Sequence, residues 1–217
     1  MELLDARRLM VRRLTESSYI STPRVAKAME TVERHRFLPP AMQDEAYMDS
    51  PLHIGEGQTI SAPHMVAMMA EALDLRSGQR VLEVGGGSGY HAAVMAELVK
   101  PDGKIYCMER IPSLAERAMA SLMETGYDPL VEMIVGDGTR GQPDKAPFDR
   151  ISIAAAAPYI PEPLQMQLVD GGKLLIPVGG KFYQQLILVT RKHGNFAQRD
   201  LGGCVFVPLI GEYGFKE

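Results

Sequence analysis

The sequence predicts an α/β protein with a mostly parallel sheet, helices at the N-terminus and an antiparallel edge at the C-terminus. From residue 80 onward, short apolar runs alternate with helical patterns, which is typical of a doubly wound sheet. The first run, 80–84, leads into four glycines within 85–89, and such a composition lets the backbone turn sharply and approach a ligand. After residue 183 only strand patterns remain, which favours antiparallel strands at one edge.

Length and composition limit the kind of protein. A chain of 217 residues with 46% hydrophobic content can bury about 70% of its unfolded surface, so we expect a single domain. Cys107 and Cys204 are the only cysteines, which predicts no disulfide framework, no metal site and a reducing cytoplasm. The first ten residues are charged and no apolar run approaches about 18 residues, which predicts neither a signal peptide nor a membrane span.

Charge is unevenly distributed along the chain. Residues 1–36 carry 8 Lys and Arg against 5 Asp and Glu, whereas the remainder carries 15 against 22. A basic N-terminal segment is one way to bind nucleic acid. The four arginines at 7, 8, 12 and 13 fall opposite an apolar face on a helical wheel, however. This pattern favours a solvated helix surface, and we expect no nucleic-acid partner.

Before residue 80 the sequence predicts three helices and one long loop. An amphipathic helix spans 3–16, and a second begins at Thr22-Pro23 and ends near 32, because proline at the first helical position is a start signal. The stretch 38–60 is irregular and rich in proline and glycine, and long loops of this kind are usually functional. A third helix is predicted over 63–73, with its apolar residues in the core.

From residue 80 the predicted strands and helices follow each other closely. Strands are predicted at 80–84, 104–108, 131–135, 150–154 and 173–177, and helices at 91–99, 112–124 and 163–169. The tail is predicted to add two strands, 184–190 and 204–209, joined by a polar loop. In such sheets ligands bind at the carboxyl ends of the strands, where the strand order reverses.

The glycine cluster separates two classes of ligand. A dinucleotide fold needs G-x-G-x-x-G/A, and Tyr90 is too large for the third position. The residues present are Glu83-x-Gly85-x-Gly87-x-Gly89, which resembles motif I of the Rossmann-like S-adenosylmethionine-dependent methyltransferases. The Glu83 carboxylate suits a cationic amino-acid tail. On the glycines alone, a structural turn without a ligand remains an alternative.

Three acids follow successive predicted strands. Glu83 ends the first, and Glu109 ends the second, 20 residues after the last glycine, where an acid commonly accepts both ribose hydroxyls. Asp137 ends the third, within the sequence GDG, and is suited to accept the adenine amino group. A single acid of this kind is more often a helix cap or turn residue. Three at successive strand ends favour a nucleoside ligand.

Six segments carry a closer resemblance. They are YMDSP (47–51), GQTISAPHM (57–65), GDG (136–138), AAAAP (154–158), GGKLLIPVG (171–179) and VPL (207–209). Together they resemble the protein-L-isoaspartate (D-aspartate) O-methyltransferase family over about 36–210. Two positions depart from its usual pattern, because Gly86 stands where the family often has Thr or Ser, and His91 where it often has Asn or a larger apolar residue.

The resemblance implies a layout and a set of site residues. N-terminal helices and a substrate-side loop occupy 1–60, a cofactor-binding core 61–180 and a C-terminal hairpin 181–217, all within one domain, 1–217. The implied cofactor-binding residues are Gln58, Thr59, Ile60, Ser61, His64, Glu83, Gly85, Gly86, Gly87, Gly89, Glu109, Arg110, Asp137 and Gly138. The implied substrate-binding residues are Thr59, Ser61, Val207, Pro208, Leu209 and Ile210, and Ser61 is the catalytic candidate.

The resemblance also implies an activity, in which a methyl group passes from S-adenosylmethionine to the free carboxylate of L-isoaspartyl or D-aspartyl residues in damaged polypeptides. The cofactor product is S-adenosyl-L-homocysteine, and the enzyme is expected to act as a cytoplasmic monomer. A carboxylate is already an ionised nucleophile, so positioning is the main requirement. A neutral donor such as Ser61 orients it without holding it in its ground state, although a serine before Ala-Pro is also a good helix cap.

Two other functions stay open at this point. The chain could methylate another substrate on the same scaffold, or it could bind S-adenosylmethionine without catalysis. Retention of Thr59, Ser61 and VPL argues against lost catalysis. The Asn/Asp-Pro-Pro-Tyr/Phe motif of amino-methylating nucleic-acid enzymes is absent after 150–154, which argues against nucleic acid.

Overall fold

A computed structural model describes residues 2–216 of the chain. Its helices are α1 (Leu3–Glu16), α2 (Pro23–Thr31), α3 (Pro63–Leu73), α4 (Tyr90–Val99), α5 (Pro112–Glu124) and α6 (Glu162–Met166). Its strands are β1 (Leu52–Gly55), β2 (Gln58–Ile60), β3 (Arg80–Val84), β4 (Lys104–Glu109), β5 (Val131–Val135), β6 (Phe148–Ile153), β7 (Leu168–Gly179), β8 (Gln184–Lys192) and β9 (Asn195–Cys204).

Seven strands form one sheet in the order β5-β4-β3-β6-β7-β8-β9. The strands from β5 to β7 pair in parallel, whereas β8 and β9 pair antiparallel. This arrangement confirms the predicted mostly parallel sheet with an antiparallel C-terminal edge. The strand order reverses between β3 and β6, so a ligand site is expected at their carboxyl ends.

The segments on either side of the glycines, β3 and α4, are apolar because they are buried in the core. In β3, only Arg80 is exposed, and the other four side chains are buried, as suits a central parallel strand covered on both faces. Nine of the ten residues of α4 are buried, because this helix lies between the sheet and the N-terminal helices. The small side chains of α4 allow it to pack closely against the sheet, and this packing fixes the position of the turn between β3 and α4.

The N-terminal helices are confirmed by the structure, with one correction. α1 has the predicted bounds, and the Thr22 hydroxyl caps α2 by accepting from the Val25 N–H at 3.4 Å. The arginines at 8, 12 and 13 are exposed as predicted, but the prediction for Arg7 was wrong. Arg7 is buried and pairs with Glu33 at 3.4 Å, because α2 and the chain after it cover that side of α1.

Arg34 joins the N-terminal segment to the start of α4. It is fully buried, its Nε donates to the Ala46 carbonyl at 2.8 Å, and its guanidinium lies 5.0 Å from the Tyr90 ring centroid. Burial lowers the pKa of Arg34 to about 10 and raises that of Tyr90 to about 12. At neutral pH the contact is therefore a charged guanidinium against a neutral phenol ring, a favourable cation–π pair.

The stretch 38–60 was predicted to be irregular, and it contains more structure than that. Within it, the 3₁₀ segment Pro40–Glu45 precedes a hairpin of β1 and β2, and a second 3₁₀ segment, Arg34–Phe37, lies just before the stretch. The hairpin turn needs positive φ at three successive residues, Gly55 (90°), Glu56 (53°) and Gly57 (68°). With strands of only four and three residues, no alternation long enough to reveal a hairpin exists in the sequence.

Two predictions at the C-terminal side were wrong. The helix predicted at 163–169 ends at Met166, because Leu168 already pairs with Phe148 at the start of β7. The tail strand predicted at 204–209 is instead an extended segment, and the polar stretch predicted as a loop forms β9. A turn at His193 and Gly194, with φ of 51° and 78°, sends β9 back along β8.

No helix within 2–216 has the length and apolar character needed to cross a membrane. Likewise, within these residues no group of three or more His, Cys, Asp or Glu is arranged to hold a metal ion.

Candidate active site

Three adjacent cavities lie at the carboxyl ends of β3, β4 and β6, where the strand order reverses. We call them the β4 cavity, which Glu109 and Arg110 line, the glycine-turn cavity, which Glu83 and Gly86 line, and the C-terminal cavity, which Val205 and other tail residues line. Thr59 and Ala154 belong to the walls of all three. The cavities therefore meet at one place, between the β1–β2 hairpin and the end of β6.

The predicted site residues distribute among these cavities. The β4 cavity is lined by Gln58, Thr59, Gly85, Gly87, Glu109, Arg110, Gly138, Val207, Pro208, Leu209 and Ile210. The glycine-turn cavity is lined by Thr59, Ile60, Ser61, Glu83, Gly85, Gly86 and Gly87. The C-terminal cavity is lined by Thr59, Ser61, His64 and Val207. As far as residues 2–216 form these walls, Gly89 and Asp137 lie outside them.

Glu109 is already oriented for a ligand. Its Oε2 accepts from the Gly87 N–H and its Oε1 from the Ile111 N–H, both at 2.9 Å. These bonds fix the carboxylate in the wall of the β4 cavity, where it is only 7% exposed. Each oxygen keeps a second lone pair, so the group can accept two hydroxyls on one edge of a sugar.

The glycine turn holds its shape through both backbone and side-chain contacts. The amides of Gly85 and Gly86 both donate to the Met108 carbonyl, at 2.9 and 3.0 Å. Gly89 has φ 83° and begins α4, so its role is to turn the chain, not to line a cavity. Gly86 has no such φ, but a Cβ there would collide with Sγ of Cys107. Cys107 thus occupies the space that a Thr or Ser at position 86 needs, which explains that departure from the family pattern.

Glu83 lies at the floor of the glycine-turn cavity and is fully buried. Its Oε2 accepts from Sγ of Cys107 at 3.0 Å, and its Oε1 lies 3.2 Å from Nδ1 of His91. Sequence reasoning did not include His91 in the site. The signal that pointed to it was its departure from the family pattern, at the second residue of α4, where its ring lies beside Glu83.

Both carboxylate oxygens of Asp137, the predicted adenine acceptor, accept hydrogen bonds from within the protein. Its Oδ1 accepts from the Thr139 N–H at 2.9 Å and the Thr139 hydroxyl at 2.7 Å, while its Oδ2 accepts from the Glu212 N–H at 2.8 Å. The carboxylate thus caps a 3₁₀ turn and holds the C-terminal segment. Its neighbours Gly136 and Gly138, in contrast, do line the β4 cavity, so the GDG sequence contributes backbone to the site.

Ser61 lies at the junction of the glycine-turn and C-terminal cavities. The residue that caps α3 is Ala62, so the Ser61 hydroxyl is not the cap of that helix. This placement favours the functional interpretation of Ser61 over the helix-cap alternative.

His64 was predicted to bind the cofactor, but among the three cavities it lines only the C-terminal one. The backbone N–H and Nδ1 of His64 both contact Oδ1 of Asp49 at 2.9 Å. The Tyr19 ring packs beside it, with centroids 5.2 Å apart. This carboxylate and ring hold the imidazole in one orientation beside the C-terminal cavity.

The tail segment 205–210 crosses the carboxyl ends of the strands. The Ala156 N–H donates to the Val207 carbonyl at 2.8 Å, and the Leu209 N–H donates to the Ala156 carbonyl at 2.7 Å. Upstream, the Phe206 N–H donates to the buried side chain of Gln184 at 2.7 Å, a support that sequence reasoning missed. Pro208, Leu209 and Ile210 were predicted to bind substrate, yet among the three cavities they line only the β4 cavity.

Comparison with known proteins agrees with this architecture. The model of the protein-L-isoaspartate(D-aspartate) O-methyltransferase family matches residues 5–214. A protein-L-isoaspartate O-methyltransferase from Methanopyrus kandleri is 58% identical over 213 residues, which are 98% of this chain and 94% of that protein. One from Methanothermobacter thermautotrophicus is 55% identical over 216 residues, with 99% of each covered.

Solved structures show the same likeness. One from Plasmodium falciparum, described as a protein-L-isoaspartate O-methyltransferase in complex with S-adenosyl-L-homocysteine, has a TM-score of 0.84 at 27% identity and covers 94% of this chain and 98% of its own. Another protein-L-isoaspartate O-methyltransferase has a TM-score of 0.87 at 28% identity and covers 96% of this chain and 67% of its own. This chain therefore belongs to the protein-L-isoaspartate(D-aspartate) O-methyltransferase family.

Proposed function

We propose that this protein transfers a methyl group from S-adenosylmethionine to the free carboxylate of L-isoaspartyl or D-aspartyl residues in damaged polypeptides. The observation that carries this proposal is the meeting of three cavities at Thr59 and Ala154. A cofactor with a nucleoside and an amino-acid tail needs two of them, and an acceptor needs the third at the point where they join.

The cofactor fits the residues present. The β4 cavity supplies the Glu109 carboxylate for ribose hydroxyls, and the glycine-turn cavity supplies the Glu83 carboxylate for the ammonium group of the tail. The glycine-turn cavity measures about 40 Å³ against about 400 Å³ for the C-terminal cavity. The narrow cavity suits an unbranched tail, and the wide one suits a peptide.

The chemistry requires few catalytic groups. The acceptor carboxylate is ionised at neutral pH, so no general base is needed, and alignment with the donated methyl group supplies up to roughly 7–11 kcal/mol of the barrier. S-adenosylmethionine supplies an electrophilic methyl group when bound. The positive charge of the cofactor and the negative charge of the acceptor are both lost on transfer, so a site that excludes water favours the reaction.

Ser61 is proposed to orient the acceptor carboxylate. Ser61 lines both the glycine-turn and the C-terminal cavity, and its hydroxyl is not needed to cap α3. A neutral hydroxyl donates a hydrogen bond without the strong ground-state attraction of an arginine. Thr59, in the wall of all three cavities, is proposed to shape the same junction.

The peptide is proposed to lie along the C-terminal cavity, beside 203–207 and His64. Val205 is 72% exposed there, and the Phe206 N–H next to it donates to the buried side chain of Gln184, which fixes this segment. An extended tail segment can read a peptide backbone, which every damaged site shares. The Val207 carbonyl and the Leu209 N–H already bind Ala156, so the segment around Val205 is the better partner for such pairing.

We further propose that the protein acts as a cytoplasmic monomer and does not bind nucleic acid. Both cysteines are free and buried, which suits a reducing compartment. The exposed arginines of α1 lie on a helix surface remote in sequence from the residues that line the three cavities.

The decisive experiment uses two peptides that differ only in Asp against isoAsp. Base-labile methyl incorporation from labelled S-adenosylmethionine is expected only with the isoAsp peptide. Ser61→Ala should lower this rate about 10 to 10³-fold, while calorimetry with S-adenosyl-L-homocysteine gives a nearly unchanged affinity. Equal methylation of both peptides, or transfer to RNA but to neither peptide, would overturn the proposed substrate. Cofactor binding without transfer to any acceptor would indicate a non-catalytic protein.

A further inference from the structure

The glycine-turn cavity contains two polar atoms that the protein itself does not satisfy. Oε1 of Glu83 and Nε2 of His91 are buried and have no hydrogen-bond partner within residues 2–216. The side chain of Glu83 is 1% exposed and that of His91 is 9% exposed. A buried polar group without a partner costs about 1–3 kcal/mol. Two such atoms beside one cavity therefore indicate a ligand that completes them.

Neighbouring side chains fix which atom of His91 faces which group. Its Nδ1 lies 3.2 Å from Oε1 of Glu83, close enough for charge attraction but not aligned as a hydrogen bond. On the other side of the carboxylate, Oε2 accepts from the Cys107 thiol. Burial and the charge of Glu83 raise the pKa of Cys107 well above its usual value, so it stays a proton donor. With Nδ1 toward Glu83, Nε2 is left for another group.

We propose that His91 is a cofactor-binding residue whose Nε2 donates to the carboxylate of the S-adenosylmethionine tail, while Glu83 binds the ammonium group. In this arrangement both unsatisfied atoms gain a partner, because Oε1 of Glu83 accepts from the ammonium group and Nε2 of His91 donates to the tail carboxylate. The ammonium group also places a positive charge beside the Glu83 carboxylate, whose side chain is 1% exposed, and a buried charge without a partner is strongly destabilising.

His91 offers two replacements that separate packing from hydrogen bonding. His91→Leu fills most of the space without a polar atom, and His91→Asn keeps an amide donor on a shorter side chain. His193→Asn is the matched control, because His193 is an exposed residue of the β8–β9 turn with φ 51°, which asparagine tolerates.

The test measures binding by calorimetry with three ligands. S-adenosyl-L-homocysteine has the whole tail, decarboxylated S-adenosylmethionine lacks only its carboxylate, and 5′-methylthioadenosine lacks its amino-acid part. His91→Leu should weaken S-adenosyl-L-homocysteine about tenfold or more and leave the other two ligands within about twofold. His91→Asn should fall between His91→Leu and the unmodified protein, and His193→Asn should match the unmodified protein.

Three results would overturn the proposal. If His91→Leu weakens the binding of 5′-methylthioadenosine as much as that of S-adenosyl-L-homocysteine, His91 only packs against the turn. If it weakens the binding of decarboxylated S-adenosylmethionine equally, the partner of His91 is the ammonium group. Unchanged binding of all ligands removes His91 from the site. If thermal unfolding shows that His91→Leu is not folded, the same three ligands are compared with His91→Asn. No peptide is present in these measurements, so they are independent of the proposed acceptor.

Discussion

Glu109 and Asp137 end adjacent parallel strands, β4 and β5, yet the structure uses them differently. Both carboxylates accept backbone N–H groups, but Glu109 lines the β4 cavity while Asp137 binds Thr139 and Glu212. The difference comes from what passes over each strand end. The glycine turn approaches Glu109 with its amide, whereas the C-terminal segment 211–212 covers Asp137.

This comparison shows that an acid at a strand end is a signal for hydrogen-bond acceptance, not for ligand binding as such. The nearest chain segment determines whether the acceptor faces a cavity or another part of the protein. Gly211 makes the second outcome possible, because a Cβ there would collide with Oδ1 of Asp137. The four experiments below test the comparison, from the largest expected effect to the smallest.

Glu109→Gln should produce the largest change in cofactor affinity. The amide keeps the size of the side chain but loses the charge and one of the two acceptors, and hydrogen bonds to charged groups contribute about 1.5–3 kcal/mol. We expect S-adenosyl-L-homocysteine affinity to fall about 10- to 150-fold by calorimetry. Unchanged affinity, in a variant with normal thermal unfolding, would place the ribose elsewhere.

Asp137→Asn should mainly reduce stability. The NH₂ group of the asparagine replaces one carboxylate oxygen and therefore faces an N–H or hydroxyl donor. At least one donor then has no acceptor, at a cost of about 1–3 kcal/mol. Urea unfolding should show this loss, while cofactor affinity changes less than in Glu109→Gln. The opposite pattern, normal stability with a large loss of cofactor affinity, would show that Asp137 binds the cofactor.

Gly211→Ala should reproduce part of the Asp137 effect without changing the carboxylate. The added methyl group must displace Asp137 or the segment itself, and overpacking of this kind costs typically about 1–3 kcal/mol. We expect the low end, because Gly211 is only half-buried. Gly180→Ala is the control, since an added Cβ there meets no atom within 4 Å. Equal urea midpoints for both variants would remove the steric explanation.

The smallest expected effect is on how the free energy of unfolding depends on pH. Partial burial raises the pKa of Asp137, but hydrogen bonds from Thr139 and Glu212 outweigh it, and the pKa lies below its ordinary value. A depressed folded-state pKa stabilises the fold above the unfolded value, about 3.9, and this contribution is lost as the pH falls through the folded value. The unmodified protein should therefore lose more unfolding free energy between pH 5 and pH 3 than Asp137→Asn. Parallel losses would show that Asp137 does not titrate differently on folding.

The sequence predicted the centre of the fold well because that centre is periodic. Strands such as β3 and helices such as α5 have hydrophobic patterns that few other structures satisfy. The walls of the three cavities include residues from 59–61, 83–87 and 154, which are far apart in sequence, and the resemblance to a known family brought most of these together. The predicted bounds of β3, β4, β5, β6, α4 and α5 differ from the observed ones by no more than two residues, whereas β7 begins five residues before its predicted start.

Sequence reasoning did not find contacts that depend on residues far away in the chain. The carboxylate of Asp137 is controlled by residues 211–212, which no local pattern around GDG reveals. Gln184 supports the tail from inside β8, where it appears as an ordinary polar residue of a strand. His91 departs from the family pattern, but a lone histidine in an apolar helix has no distinctive pattern of its own, and its role was recognised only from the position of its ring beside Glu83.

β9 was mistaken for a loop because it is polar, and that polarity has a consequence for how molecules of this protein meet in solution. The strand forms an outer edge of the sheet, and nearly all of its residues are at least partly exposed, among them Arg199 and Asp200. Exposed strand edges are templates for pairing with another chain, and charges, twists and irregular pairing discourage this. The pairing of β9 with β8 also shifts register between Gln185 and Ile187. The polar edge and irregular pairing of β9 therefore discourage the sheet of this protein from being extended by a strand of another chain.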